Sequence, residues 1–154
     1  MKVICRQKYP SEKQNLALGY DEGCTVGYEL TLNQEYTVLG VNFQSASLLN
    51  KGVTLLLRDD IGRCTFVPIC LLEVSSSAPS RFWIARKINE SDLCFWPEEF
   101  FSEYFHDDLS EGITAVVEVF ERVYQALNRE ANSAVPSHNH HTFSAIRHTE
   151  FFCF

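Results

Sequence analysis

The sequence lacks positive charge along one continuous stretch, and this absence is its most informative feature. Residues 88–121 contain no Lys or Arg, although ten of the twenty acidic residues lie there. The rest of the chain carries ten acids and all thirteen bases, so the net charge of −7 is concentrated in this stretch. A field of one sign attracts a partner of opposite sign and repels nucleic acid. The stretch is consistent with a solvated helical face and with a docking surface for a basic protein.

Patterns that mark catalytic or cofactor sites are also absent. The spacing of Gly19, Gly23 and Gly27 matches neither a P-loop nor a dinucleotide-binding fingerprint. No serine lies in a Gly-x-Ser-x-Gly elbow. We therefore predict no cofactor and no enzymatic activity. The alternative that stays open is a small cytosolic enzyme that uses a cysteine or histidine, for example Cys94 with His106.

The sequence also lacks the features of an exported or membrane-spanning chain. No apolar run approaches the roughly 20 residues that a bilayer span needs. Residues 1–8 show no apolar core of a signal peptide before charge returns. We therefore expect a cytoplasmic protein, whose six cysteines are reduced. Because no Cys-x-x-Cys pair occurs, these cysteines are expected to be structural thiols that bind no metal.

A cluster of histidines and a pair of acids are the possible metal ligands. His138, His140 and His141 could bind a metal, but their spacing equally suits a loop with no ligand role, so no metal site is predicted. Asp59 and Asp60 lie at an expected hairpin tip, where aspartate stabilises turns.

A small basic and aromatic cluster raises the question of nucleic-acid binding. Arg81, Arg86 and Lys87 lie beside Phe82 and Trp83 on one expected strand. Such a cluster can contact phosphate and stack a base. The net charge of −7 argues against that use, and we predict no nucleic-acid partner.

The hydrophobic pattern predicts an α+β fold. Residues 1–96 are β-rich and residues 97–128 are helical, which favours an antiparallel, strongly bent sheet or small SH3-like barrel followed by two packed helices. The helices are expected over 97–105 and 109–128, and Asp108 and Glu111 have the spacing of a capping box for the second. Phe120 lies on the apolar stripe of that second helix and should be buried. The expected strands cover residues 2–6, 35–43, 53–58, 63–67, 71–74, 82–87 and 93–96.

The chain is expected to form a single globular domain over residues 1–132, followed by a polar linker and an apolar tail over 133–154. Self-packing, insertion into a partner and disorder are the open alternatives for this tail, and self-packing is favoured because an exposed apolar run invites aggregation. Its apolar residues are Phe143, Ile146, Phe151, Phe152 and Phe154.

A run of short motifs in the β-rich part resembles a known group of proteins. The motifs are Tyr-Thr-Val-Leu-Gly at 36–40, Leu-Leu-Leu-Arg-Asp-Asp-Ile-Gly at 55–62, Phe-Val-Pro at 66–68, Leu-Leu-Glu-Val at 71–74 and Pro-Ser-Arg-Phe-Trp at 79–83. The stretch that contains them, residues 36–83, covers about a third of the chain. The pattern is similar to small bacterial immunity proteins encoded beside polymorphic toxins, including contact-dependent growth-inhibition systems. This resemblance implies a β-rich cytosolic protein that binds one toxin domain and has no catalytic residues.

These observations lead to one predicted function. We expect a protein-binding immunity factor that neutralises a cognate toxin by direct complex formation as a monomer in a 1:1 complex. A basic nuclease is the expected toxin, since an acidic inhibitor can imitate its polyanionic substrate. The predicted partner-binding residues are Glu98, Glu99, Glu103, Asp107, Asp108 and Glu111.

Overall fold

Eight strands form two antiparallel sheets in the computed structural model, which describes residues 1–24, 26–45 and 51–133. The smaller sheet has the strand order β2-β1-β6, and the larger has the order β5-β4-β3-β8-β7. This arrangement confirms the α+β class, but the strands form two open sheets in place of the expected single bent sheet or small barrel. The strands are β1 Lys2–Cys5, β2 Glu35–Thr37, β3 Gly40–Gln44, β4 Gly52–Arg58, β5 Cys64–Pro68, β6 Leu72–Ser76, β7 Trp83–Lys87 and β8 Leu93–Pro97.

The strand expected over residues 35–43 is divided between the two sheets. β2 pairs with β1, whereas β3 pairs with β4 and β8. Gly40 opens β3 against the indole of Trp96, and a Cβ at this position would lie 2.4 Å from Trp96 Cδ1. Glycine therefore leaves room for the Trp96 indole at the point where the chain passes from one sheet to the other.

The hairpin of β4 and β5 forms as the sequence predicted. Its register pairs Arg58 with Cys64 and Thr54 with Pro68. Asp59 closes the turn, since its Oδ1 accepts hydrogen bonds from the backbone N–H groups of Ile61 (3.2 Å) and Arg63 (2.7 Å). The turn role that the sequence suggested for Asp59 is therefore confirmed.

A short helix in the N-terminal region was not predicted. Helix α1 covers Glu12–Leu18 within a stretch that composition alone indicates as loop. Ser11 and Gln14 form a reciprocal capping box at its start, and Gly19 ends it in the left-handed conformation.

The boundaries of the C-terminal helices differ from the prediction. The segment expected as a helix over 97–105 is a 3-10 helix at Glu98–Phe101, and it is followed by helix α2 at Phe105–Ser110. The last helix, α3, covers Thr114–Ser133, so the expected range of 109–128 was wrong at both ends. Gly112 has a φ of 74° and separates α2 from α3. The predicted capping box of Asp108 and Glu111 is also wrong, because Asp108 lies inside α2 and Glu111 follows its last residue.

Strand β4 contributes to two hydrophobic clusters. Leu55 and Leu57 join the first cluster, and Leu56 joins the second, because successive side chains of a strand point to opposite faces. The first cluster includes Val3, Tyr28, Leu30, Tyr36, Val38, Val67 and Leu71. The second cluster, called here the aromatic cluster, consists of Leu39, Leu56, Phe100, Phe105, Phe120, Val123 and Leu127. Phe120 is only 2% exposed, which confirms that this face of α3 is buried.

No helix in the described part of the chain is both long and apolar enough to cross a membrane. The predicted tail after residue 133, including His138, His140 and His141, lies outside the described residues.

Candidate functional site

The six predicted partner-binding residues lie on one continuous segment between β8 and α3. Glu98 and Glu99 begin the 3-10 helix, Glu103 lies in the turn, Asp107 and Asp108 lie on α2, and Glu111 follows α2. All are exposed except Asp108, which is partly buried. These six residues are called the acidic surface below.

Two buried phenylalanines hold the segment in place. Phe100 and Phe105 are 1% and 3% exposed, and their rings stack with centroids 4.8 Å apart. Phe100 also stacks on Phe120 of α3, with centroids 5.9 Å apart. Because these rings occupy the interior, the acids between and beside them are directed to solvent. The acidic surface is therefore supported by the core of the domain.

Only two acids of this surface form ion pairs with the described residues. Glu98 lies 3.7 Å from Arg86, and Glu99 lies 3.8 Å from Arg122. Both pairs are long and exposed, so each contributes at most about 1 kcal/mol to stability. The other four, Glu103, Asp107, Asp108 and Glu111, have no ion pair within residues 1–24, 26–45 and 51–133. Their carboxylates can therefore pair with an external cation.

Two other acids of residues 88–121, which contain no Lys or Arg, stabilise the fold. Glu121 holds Arg58 through two contacts, of 2.7 Å and 3.0 Å. Asp92 is buried and accepts hydrogen bonds from Ser45 N (2.8 Å) and Asn89 Nδ2 (2.7 Å). Of the ten acids in residues 88–121, six therefore form the acidic surface and these two make structural contacts.

Tyr104 is an exposed aromatic residue at the middle of the acidic surface. Its side chain is 65% exposed, and its φ of 60° places it in the left-handed region before the first residue of α2. A bulky residue with positive φ is uncommon and is strained relative to glycine. This conformation could not be predicted from the sequence, because no glycine or asparagine marks the position.

A cleft lies next to the acidic surface, between the β4–β5 hairpin and helices α2 and α3. Its volume is about 430 Å³. The residues that line it come from distant parts of the sequence, and no motif indicated that they would meet. They are Arg58, Ile61, Gly62, Arg63, Cys64, Phe66, His106, Leu109, Ser110, Val117, Phe120 and Glu121.

The same cleft contains a cysteine and a histidine, which are the residue types required by the alternative of a small enzyme. His106 lines it together with Cys64, whereas the partner suggested from the sequence, Cys94, does not. Burial, with a smaller contribution from Asp59, raises the pKa of Cys64 to about 12. Burial also lowers the pKa of His106. These shifts favour a neutral thiol and a neutral imidazole, which is the opposite of an activated thiolate.

Two arginines of the predicted basic and aromatic cluster, Arg81 before β7 and Arg86 within it, make contacts inside the domain. Arg81 lies 5.0 Å from the centroid of the Phe82 ring and 3.5 Å from Glu130. Arg86 lies 4.6 Å from the centroid of Phe101 and pairs with Glu98. These contacts give the two arginines intramolecular roles. Over the described ranges, no group of three or more His, Cys, Asp or Glu residues is arranged to hold a metal ion.

Comparisons of the chain with protein-family models, with curated proteins and with solved structures gave no match.

Proposed function

We propose that this chain is a protein-binding inhibitor of the immunity type, which neutralises a cognate toxin domain by direct complex formation. The acidic surface is the proposed contact, and a basic nuclease is the proposed toxin. The observation that carries the proposal is a set of four carboxylates, Glu103, Asp107, Asp108 and Glu111, that lack an intramolecular cation among the described residues. A cytoplasmic location and a 1:1 complex with a monomer belong to the same proposal.

The support beneath these carboxylates favours binding. Phe100 and Phe105 fix the segment from below, so less conformational entropy is lost when a partner docks than for a free loop. Glu98 and Glu99 at its edge make only long ion pairs, which a partner's arginine or lysine can replace at small cost.

The charge pattern explains why a nuclease is the preferred class of partner. A nuclease binds a polyanion with Lys and Arg side chains, and clustered carboxylates offer these cations an alternative to phosphate. Complementary charge mainly speeds association and selects the partner. Binding that covers the toxin's substrate groove would then block its activity.

The competing proposal of a cysteine or histidine enzyme has less support. Cys64 and His106 share the cleft, but a pKa near 12 gives Cys64 almost no thiolate at neutral pH. We therefore retain the binding function.

Co-purification with the product of the adjacent gene tests the proposal. The chain and that product should elute together as a 1:1 complex, and the complex should show less nuclease activity than the partner alone. Separate elution would contradict the proposal. A stable complex with undiminished activity would contradict neutralisation while leaving protein binding in place.

A further inference from the structure

The cleft between the β4–β5 hairpin and helices α2 and α3 has the properties of a small-molecule site. Its volume of about 430 Å³ lies within the range of known ligand sites. Its wall combines apolar side chains with a few polar groups, which is the usual composition of such sites. The apolar side chains are Ile61, Cys64, Phe66, Leu109, Val117 and Phe120.

One arginine of the cleft, Arg63, is held in place by an ion pair but still has unused hydrogen-bond donors. Arg63 Nε lies 3.1 Å from Oδ2 of Asp59, whose carboxylate is buried and is held by the hairpin turn. The two Nη atoms of Arg63 have no partner among the described residues, and the side chain is 64% exposed. Asp59 thus fixes the guanidinium through one nitrogen and leaves its other donors free for an anion.

The other charged groups of the cleft are already paired. Arg58 donates to both carboxylate oxygens of Glu121, and its guanidinium lies 4.8 Å from the centroid of the Tyr124 ring. Glu121 is correspondingly neutralised. Arg63 is likewise paired, with Asp59 and through Nε alone, so the cleft offers an anion the free Nη donors of Arg63 and no uncompensated positive charge.

The remaining polar groups that line the cleft are Ser110 and His106. Ser110 Oγ donates its proton to the carbonyl of Asp107 (2.7 Å), so its lone pairs are left to accept. Burial lowers the pKa of His106, which favours the neutral ring. That ring is packed between aromatic side chains, including Trp96 at 4.9 Å and Phe66 at 5.7 Å between centroids.

The geometry points to a binding site for a small carboxylic acid with an aromatic or aliphatic body. The body lies against Phe66, Leu109 and Val117, and the carboxylate pairs with the Nη atoms of Arg63. This site adjoins the proposed toxin contact, but none of the residues that line it belongs to the acidic surface.

Titration of the full chain with two matched compounds, followed by NMR of the backbone amides, tests the inference. 3-Phenylpropionate carries the charge, and 3-phenylpropanamide is its neutral counterpart. We expect 3-phenylpropionate to shift the amides of Arg63, Cys64 and Leu109 and to bind at least about tenfold more tightly than the amide. Equal binding of the two compounds, or no shift at the cleft, would overturn the inference. This comparison uses the unaltered chain and needs no variant to fold.

Three variants locate the site. Arg63→Gln should reduce the affinity for 3-phenylpropionate to that for the amide, and Leu109→Trp should abolish binding of both by filling the cleft. Arg81→Gln is the matched control, because Arg81 also pairs with a carboxylate through Nε but lies outside the cleft. Equal loss in Arg81→Gln, or full binding in both cleft variants, would assign the shifts to non-specific charge and overturn the site.

Discussion

The rings of Phe100 and Phe105 stack with their centroids 4.8 Å apart, and Ser102, Glu103 and Tyr104 between them form an exposed connection on the protein surface. This contact joins the 3-10 helix to α2, so that Glu103 and Tyr104 are presented to solvent above a buried aromatic cluster. The acidic surface therefore depends on the packing beneath it as much as on its own charges.

Removal of the Phe120 ring should strongly destabilise the fold. Phe120 is 2% exposed and lies between Phe100 and Tyr124 in a row of stacked rings. Phe120→Ala should lower the free energy of unfolding by about 3–5 kcal/mol, measured by urea denaturation. Phe82→Ala is the control, because that ring is 38% exposed and should cost much less. Similar losses for the two variants would show that α3 is packed differently.

Relief of the backbone strain at Tyr104 should stabilise the protein. Tyr104 has a φ of 60°, which glycine adopts without steric cost. Tyr104→Gly should raise the free energy of unfolding by on the order of 0.5–1 kcal/mol. Tyr104→Ala retains a Cβ and should give no such gain. If both variants have the same stability in urea, the left-handed conformation is not the source of strain.

His106 should make stability dependent on pH below neutrality. Burial lowers its pKa from the ordinary value of 6.5, so below that pH the unfolded chain takes up a proton that the folded chain resists. The contribution is present above pH 6.5 and is lost as the pH falls toward the folded pKa. The parent should lose stability relative to His106→Phe between pH 7.5 and 5, by at most about 1.4 kcal/mol per pH unit. A constant difference over this range would contradict the burial of the imidazole.

Cys64 should resist alkylation in the folded protein. Burial raises its pKa to about 12, so only about one thiol in ten thousand is ionised at pH 8. Cys70 is exposed and should react first with iodoacetamide, as followed by peptide mass spectrometry. In urea, Cys64 and Cys70 should react with iodoacetamide at similar rates. Rapid modification of Cys64 at neutral pH would instead support the enzyme alternative.

Local patterns predicted most strands and the buried face of the last helix. Val116, Phe120, Val123 and Leu127 repeat with helical spacing, and all pack in or against the aromatic cluster. The start of α3 was misplaced because Leu109 and Ile113 continue that spacing through the break at Gly112. The capping box at Ser11 and Gln14 was visible in the sequence, but the surrounding polar composition concealed α1.

The elements of the site were predictable only in part. The exposure of the acidic surface follows from its charge, whereas its support by Phe100 and Phe105 depends on tertiary packing. The cleft could not be predicted, because it forms where the turn at Asp59 approaches α2 and α3, about fifty residues further along the chain. Likewise, the free Nη atoms of Arg63 depend on one contact with the buried Asp59 carboxylate.

The rate of association with the proposed toxin tests the central claim most directly. The triple variant Glu103→Lys, Asp107→Lys and Glu111→Lys should associate at least about tenfold more slowly than the parent and lose most of the salt dependence of the rate. Glu12→Lys, Asp21→Lys and Glu22→Lys together form the matched control, since these exposed acids lie outside the acidic surface and change the net charge equally. Stopped-flow measurements at several salt concentrations should show a much smaller effect for the control. Equal slowing in the two triple variants, or an unchanged rate in the first, would contradict the assignment of the acidic surface as the partner-binding site.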